Sequence, residues 1–206
     1  MRGIALGGIY RTVPREVLTE NVYLRRMIAL DPRCVDRAAN WRRVDNCAVL
    51  GKFEEFMQLA RTYAWAIPND EALDAIAALS PIIEVGCGNG YWAALLTLRS
   101  ADVIASDVKP GWSNWTAGPC YYDIVQADAA VSAAQYPDRT LMICWPPMTD
   151  MAQNALAAYA GNRLVYIGES DGGCCALDVF FAALATGWTE TACIEIPQRW
   201  GVHDYV

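Results

Sequence analysis

Pro81-Ile-Ile-Glu-Val-Gly-Cys-Gly-Asn-Gly-Tyr-Trp-Ala-Ala-Leu-Leu96 is the stretch whose reading decides the fold. A short apolar run (Ile82, Ile83, Val85) ends in three alternate glycines, and an apolar segment with helical spacing follows. That order predicts a buried strand, a tight turn and a helix start, the unit that places a nucleotide-like ligand on a helix N-terminus. Pro81 suits the first residue of a strand, where no ladder donor is needed. The glycines let the backbone approach a ligand that any Cβ would hold off.

Downstream of this turn, strand-like and helix-like segments alternate. Strands are expected at 82–85, 103–106, 122–126, 141–144, 163–167 and 189–196, and helices at 90–99, 129–135, 149–159 and 174–186. Such alternation predicts an α/β fold, a Rossmann-like, mostly parallel sheet with helices on both faces. Ligands then bind at the carboxyl ends of the strands, near the first strand. Upstream, residues 1–80 read as an N-terminal helical extension to a ligand-binding domain over 81–206. Pro14 opens a helix to about Leu30 with Val17, Val22, Leu24 and Ile28 inside, and Asp31-Pro32 breaks it. A run from Cys47 to Trp65 puts Leu50, Phe53, Phe56, Met57, Ala60 and Ala64 on one face. Asn69 or Asp70 caps a short helix through Leu79.

The 206 residues, 54% hydrophobic and 19% charged, suffice for one sizeable domain with a real core. No apolar run reaches the roughly 18 residues of a membrane span, and the first ten residues do not read as a signal peptide. Eight cysteines without a C-x-x-C pair, and one histidine, His203, argue against a metal site and for a reducing, cytoplasmic location. The net charge of −7 is concentrated in residues 81–206, which carry 5 Lys/Arg against 13 Asp/Glu. An acidic α/β half is a poor partner for nucleic acid. The arginines at 25, 26, 33, 37, 42 and 43 read as a solvated helix face.

Two cofactor classes use a glycine-rich first turn. Dinucleotide sites space their glycines G-x-G-x-x-G. Here Glu84 precedes Gly86, Cys87, Gly88 and Gly90, and one residue separates the last two glycines. An acid at that place disfavours a pyrophosphate and suits a positive group, such as the α-amino group of a methionine moiety.

These residues resemble motif I of the class I S-adenosylmethionine-dependent methyltransferases. The resemblance implies that an acid ending the second strand, here Asp107 in Val103-Ile-Ala-Ser-Asp107, holds the ribose hydroxyls. It also implies that Asp128, with Ala129, lies by the adenine. The tracts Tyr63-Ala-Trp-Ala-Ile-Pro-Asn69, Leu141-Met-Ile-Cys-Trp-Pro-Pro147 and Arg163-Leu-Val-Tyr-Ile-Gly-Glu169 look like those of a group of uncharacterised methyltransferase-like proteins. The cofactor implied is S-adenosylmethionine, and the partner a small-molecule acceptor.

Methyl transfer needs in-line positioning of the acceptor and suitable electrostatics. In the family the end of the fourth strand lies beside the methyl group. Here it reads Cys144-Trp145-Pro146-Pro147, similar to the (Asp/Asn)-Pro-Pro-aromatic loop of amino-group methyltransferases. Trp145 stands where that loop has Asp or Asn, and Met148 where it has the aromatic residue. The expectations are that the prolines aim a carbonyl at an acceptor and that Trp145 forms an apolar or cation–π wall. Glu169, closing the fifth strand, is the candidate acid/base. Tyr63, Trp65 and Trp112, in segments flanking the turn, are candidate substrate contacts, and the loop 109–120 is long enough to be a lid. The missing Asp/Asn, and room for only a short seventh strand after Trp200, support an alternative: a non-catalytic module binding S-adenosylmethionine or S-adenosylhomocysteine.

Overall fold

The computed structural model describes residues 20–35, 52–111, 113–199 and 202–206. Of the residues singled out above, Trp112, Pro14, Val17, Cys47, Leu50 and the arginines at 37, 42 and 43 lie outside the described residues. The elements are α1 (Val22–Leu30), a 3₁₀ turn (Pro32–Val35), α2 (Phe53–Thr62), α3 (Asp70–Ala77), β1 (Ile82–Val85), α4 (Tyr91–Leu98), β2 (Val103–Asp107), β3 (Ile124–Gln126), α5 (Ala129–Gln135), β4 (Thr140–Cys144), α6 (Met151–Ala158), β5 (Leu164–Ile167) and α7 (Asp178–Gly187).

The five strands form one sheet in the order β3-β2-β1-β4-β5, with every pairing parallel. This is the expected Rossmann-like α/β fold. Strand order reverses at β1, which pairs Glu84 with Ala105 on one side and Met142 on the other. The crevice over the carboxyl ends of β1 and β4 is therefore where such a sheet accepts a ligand. Alternation along β1 sends Ile83 and Val85 to the face packed with Ala133, Ala152, Ala155, Leu156 and Phe180 of α5, α6 and α7. Ile82 faces the other side, in a core shared with Tyr23, Met27, Phe56, Leu73, Ile76 and Leu96. Glu84, two residues on, points toward that same side.

The upstream helices bury only part of the faces expected to be inside. In α1 the buried residues are Tyr23 and Met27, while Ile28 is 36% exposed. In α2 they are Phe56 and Ala60, while Phe53 is 52% exposed. Tyr23 wins its place because its ring stacks on Tyr63 at 5.2 Å and meets Tyr91 edge-on at 6.1 Å, joining α1, the α2 exit and α4. Asn69 caps α3 as expected, accepting from the Ala72 N–H at 3.0 Å.

Two strand expectations are corrected. The third strand begins at Ile124, not 122. Tyr121 donates its N–H to Asn89 O (2.8 Å) and the Tyr122 hydroxyl donates to Val103 O (2.8 Å), which holds the approach to β3 against the turn and β2. No strand forms over 189–196. Residues 189–193 are exposed, and Glu195 alone makes an isolated antiparallel bridge with Tyr205. Tyr205 also bridges Gly168, so the segment 202–206, not 189–194, takes the edge beyond β5. Among the described residues, no helix is long and apolar enough to cross a membrane.

Candidate functional site

The turn after β1 is fixed by its glycines and by an asparagine that sequence reading passed over. Gly86, Gly88 and Gly90 have φ of 67°, 59° and 71°, a region that favours glycine. A Cβ at Gly88 would lie 2.8 Å from Thr116 Cγ2, so part of the demand for glycine comes from the protein's own loop. Asn89, 1% exposed, donates from Nδ2 to Arg61 O (3.0 Å) and Thr62 O (2.9 Å), tying the turn to the last carbonyls of α2.

A cavity of about 1110 Å³ opens over the carboxyl ends of the strands. It is lined by Glu84, the turn 86–89, Asp107, Asp128, Ala129, Tyr63, Trp65 and Trp145, among others. Of the sequence candidates for cofactor and aromatic contacts, all but Gly90 and the undescribed Trp112 line this one space. A smaller cavity of about 330 Å³ between Pro137–Arg139 and Tyr159–Arg163 lies at the other end of the strands.

Three residues that line the large cavity each carry a buried side-chain atom with no hydrogen-bond partner among the described residues: Glu84 Oε2, Asn89 Oδ1 and Trp92 Nε1. Two accept and one donates. Burial pushes the Glu84 carboxyl up to about 8, the Ala93 N–H opposes this, and the Asp107 charge adds to it. Orphaned groups of this kind are rare and call for an explanation, and a ligand is one. Trp92 and Asn89 were not singled out from sequence; their only signal was a polar atom in an otherwise apolar helix start.

Asp107 is committed in part. Its Oδ2 accepts from Gly88 N–H (2.9 Å) and its Oδ1 from Lys109 N–H (2.7 Å). Burial raises its pKa against these two bonds. Asp128 is exposed and caps α5, with Oδ1 accepting from Ala130 N–H at 2.9 Å and Val131 N–H at 3.4 Å.

The end of β4 departs from the loop expected there. Pro146 is buried, is not among the cavity-lining residues, and its carbonyl accepts from Ala176 N–H at 3.0 Å. The Pro147 carbonyl accepts from Thr149 N–H at 2.7 Å. Both carbonyls thus take part in closing the β4–α6 loop, Pro146 from outside the cavity lining and Pro147 from within it. Trp145 has φ 49°, an uncommon conformation for a bulky residue. It is held by its N–H to Ile167 O (2.7 Å) and its indole Nε1 to Asp204 Oδ1 (2.6 Å). Its ring stacks on Trp65 at 5.0 Å, and the Arg199 guanidinium lies 5.0 Å from Trp145 and 5.1 Å from Trp65. Trp65 Nε1 in turn donates to Trp115 O (2.8 Å).

Glu169 is 6% exposed, and it too is not a lining residue. Oε2 accepts from Cys174 N–H (2.8 Å) and Oε1 from His203 N–H (3.0 Å). It clamps the loop after β5 to the segment 202–206, a geometry unlike that of an acid/base facing a substrate. Tyr63 does line the cavity, but its ring is embedded among Tyr23, Tyr91 and Tyr121, with centroids 5.1–5.7 Å away. Among the described residues, no cluster of three or more metal-ligating side chains is found.

No protein-family model matches this chain, and no curated protein matches it by sequence. Its fold is similar to solved structures. One is the crystal structure of magnesium protoporphyrin IX methyltransferase from Synechocystis PCC 6803 with bound SAM. The identity is 15% and the TM-score 0.46, over 87% of this chain and 94% of that one. Another is a structure described as "Conversion of a Disulfide Bond into a Thioacetal Group during Echinomycin Biosynthesis". There the identity is 17% and the TM-score 0.40, over 73% and 88% of the two chains. Both are distant likenesses of fold.

Proposed function

We propose that this protein is an S-adenosylmethionine-dependent methyltransferase acting on a small-molecule acceptor. The observation that carries the reading is Glu84 Oε2: a buried carboxyl oxygen, unpartnered among the described residues, on a residue that lines the large cavity beside the glycine turn. A cationic amino group would supply the missing donor, and burial would make that pairing strong. Asn89 Oδ1 offers a second acceptor to the same amino group, and Trp92 Nε1 a donor for a carboxylate. That is the complement of an amino-acid head group.

The remaining assignments belong to the same reading. Gly86, Cys87 and Gly88 bring the backbone to the methionine end, and Gly90, outside the cavity lining, lets the helix start pack against Tyr122 and Ile124. Asp107, with one N–H on each oxygen, retains lone pairs for two ribose hydroxyls. Asp128 and the helix start at Ala129 flank the adenine, with Asp128 Oδ2 beyond its capping role. The bound cofactor supplies an electrophilic sulfonium methyl group. The chain's own part is to hold the acceptor in line and keep water out. Trp65, Trp145 and Cys144 wall that end of the cavity. Glu169 and Pro146 act by holding the loops that carry this wall.

Isothermal titration with S-adenosylmethionine and S-adenosylhomocysteine tests the reading. Binding of both is expected, and absence of heat with either, in folded protein, would sink it. Asp107→Ala should weaken both by at least about tenfold, roughly 1.4 kcal/mol.

A further inference from the structure

The acceptor end of the cavity has a surface chemistry of its own. Trp65, Trp115 and Trp145 all line it. Two of their three indole N–H groups are placed: Trp145 Nε1 on Asp204 and Trp65 Nε1 on the Trp115 carbonyl. Those two rings therefore meet a ligand with aromatic carbon surface that their mutual stacking leaves uncovered, in place of hydrogen-bond donors. Trp65 and Trp145 stack within 21° of parallel, and Trp115 meets Trp65 edge-on at 5.9 Å. Trp115 and Met148 are 53% and 59% exposed, so part of the wall faces open space.

Charge sharpens the inference. Of the acidic lining residues, Glu84, Asp107 and Asp128 are committed to the cofactor in the reading above, and Asp150 is left for the acceptor end, with Lys109 the lysine of the lining. Asp150 lies two residues beyond Met148, at the start of α6, and its side chain makes no cap hydrogen bond. A planar cation of the protein itself already lies against these rings. The guanidinium of Arg199, a planar cation, lies about equally close to Trp65 and Trp145, at 5.1 and 5.0 Å. Negative ring faces attract flat neutral or cationic groups and disfavour anions.

We propose that the acceptor is a planar aromatic molecule without negative charge, docked on the Trp65–Trp115–Trp145 wall. This rests on the methyltransferase reading only in calling the occupant an acceptor; the wall's preference for its ligand stands without it.

The test uses the full chain with S-adenosylhomocysteine present and three probes of one shape: quinoline, N-methylquinolinium and quinoline-2-carboxylate. Equilibrium dialysis should retain the neutral and cationic rings at least about tenfold better than the anion. Trp115→Ala, an exposed position, should reduce that retention about threefold or more, and Trp145→Ala by more. Trp145→Phe, which keeps a ring, should retain most of it. Equal or tighter retention of the anion overturns the proposal, and so does unchanged retention in Trp115→Ala and Trp145→Ala. S-adenosylhomocysteine binding, measured separately on the same protein, keeps the two readings apart. If it is absent while the probe order holds, the cofactor reading fails and the wall stands. If it is present while the probe order inverts, the reverse follows.

Discussion

The indole Nε1 of Trp145 donates to Asp204 Oδ1 at 2.6 Å, joining the end of β4 to a residue 59 positions away. Asp204 is 1% exposed, and burial pushes its carboxyl up to about 7, with Arg199 and the indole pulling the other way. The raised value means that the folded state holds this proton more tightly than the unfolded chain. Its contribution is therefore full below about pH 4 and is lost as pH rises toward 7 and above. Asp204→Asn keeps an acceptor for the indole and removes that loss, so its stability at pH 8 should equal or exceed that of the wild type. Asp204→Ala leaves the indole N–H without this acceptor and should cost about 1–2 kcal/mol at pH 5. Urea unfolding at the two pH values checks both.

Glu84 carries the same sign more strongly. Its carboxyl is at about 8 in the fold against an ordinary 4.5, so between those values the folded state holds a proton that the unfolded state has lost. Stability should fall as pH rises through this window, and Glu84→Gln should flatten the fall. If Glu84 meets a cationic amino group, it must ionise on binding. Titration of S-adenosylhomocysteine at pH 6.5 in buffers of different ionisation enthalpy should then show net proton release, which Glu84→Gln abolishes.

Asn89 links the glycine turn to α2 through two buried bonds to Arg61 O and Thr62 O. Asn89→Ala should destabilise the protein by about 2 kcal/mol. It should also lower amide hydrogen-exchange protection in α2 more than in β4, because the carbonyls it releases are those that end α2.

Gly88 combines a left-handed φ with a tight neighbour, since a methyl group added there would meet Thr116 Cγ2 at 2.8 Å. Gly88→Ala should cost roughly 1–2 kcal/mol. Adding Thr116→Ser removes the clashing methyl and should recover part of the loss, leaving the backbone part. A thermal unfolding series of the two single variants and the double variant separates the terms.

How much of this was legible in the chain follows from how local each cause is. The strand–turn–helix of 82–98 was readable because apolar runs and glycines act within a few residues, and the parallel sheet because strands and helices alternate in sequence. Asp107 and Asp128 could be placed at strand ends for the same reason. Asp128 already had the sequence position of a helix cap, and the structure gives it that role in part.

What the sequence could not determine was pairing across distance. Pattern alone put Ile28 inside α1, but Tyr63 and Tyr91, brought from other elements, select Tyr23 and Met27 instead. The run 189–196 looked like a strand, yet whether it pairs depends on what takes the edge beyond β5, and Tyr205 does. Glu169 ends a strand as a catalytic carboxylate would, but it lies outside the cavity lining, where it accepts backbone N–H groups from two separate segments. Tertiary structure alone brought Asp204 and Arg199 to Trp145, since burial and hydrogen bonding between distant segments leave no periodic trace in the residues themselves.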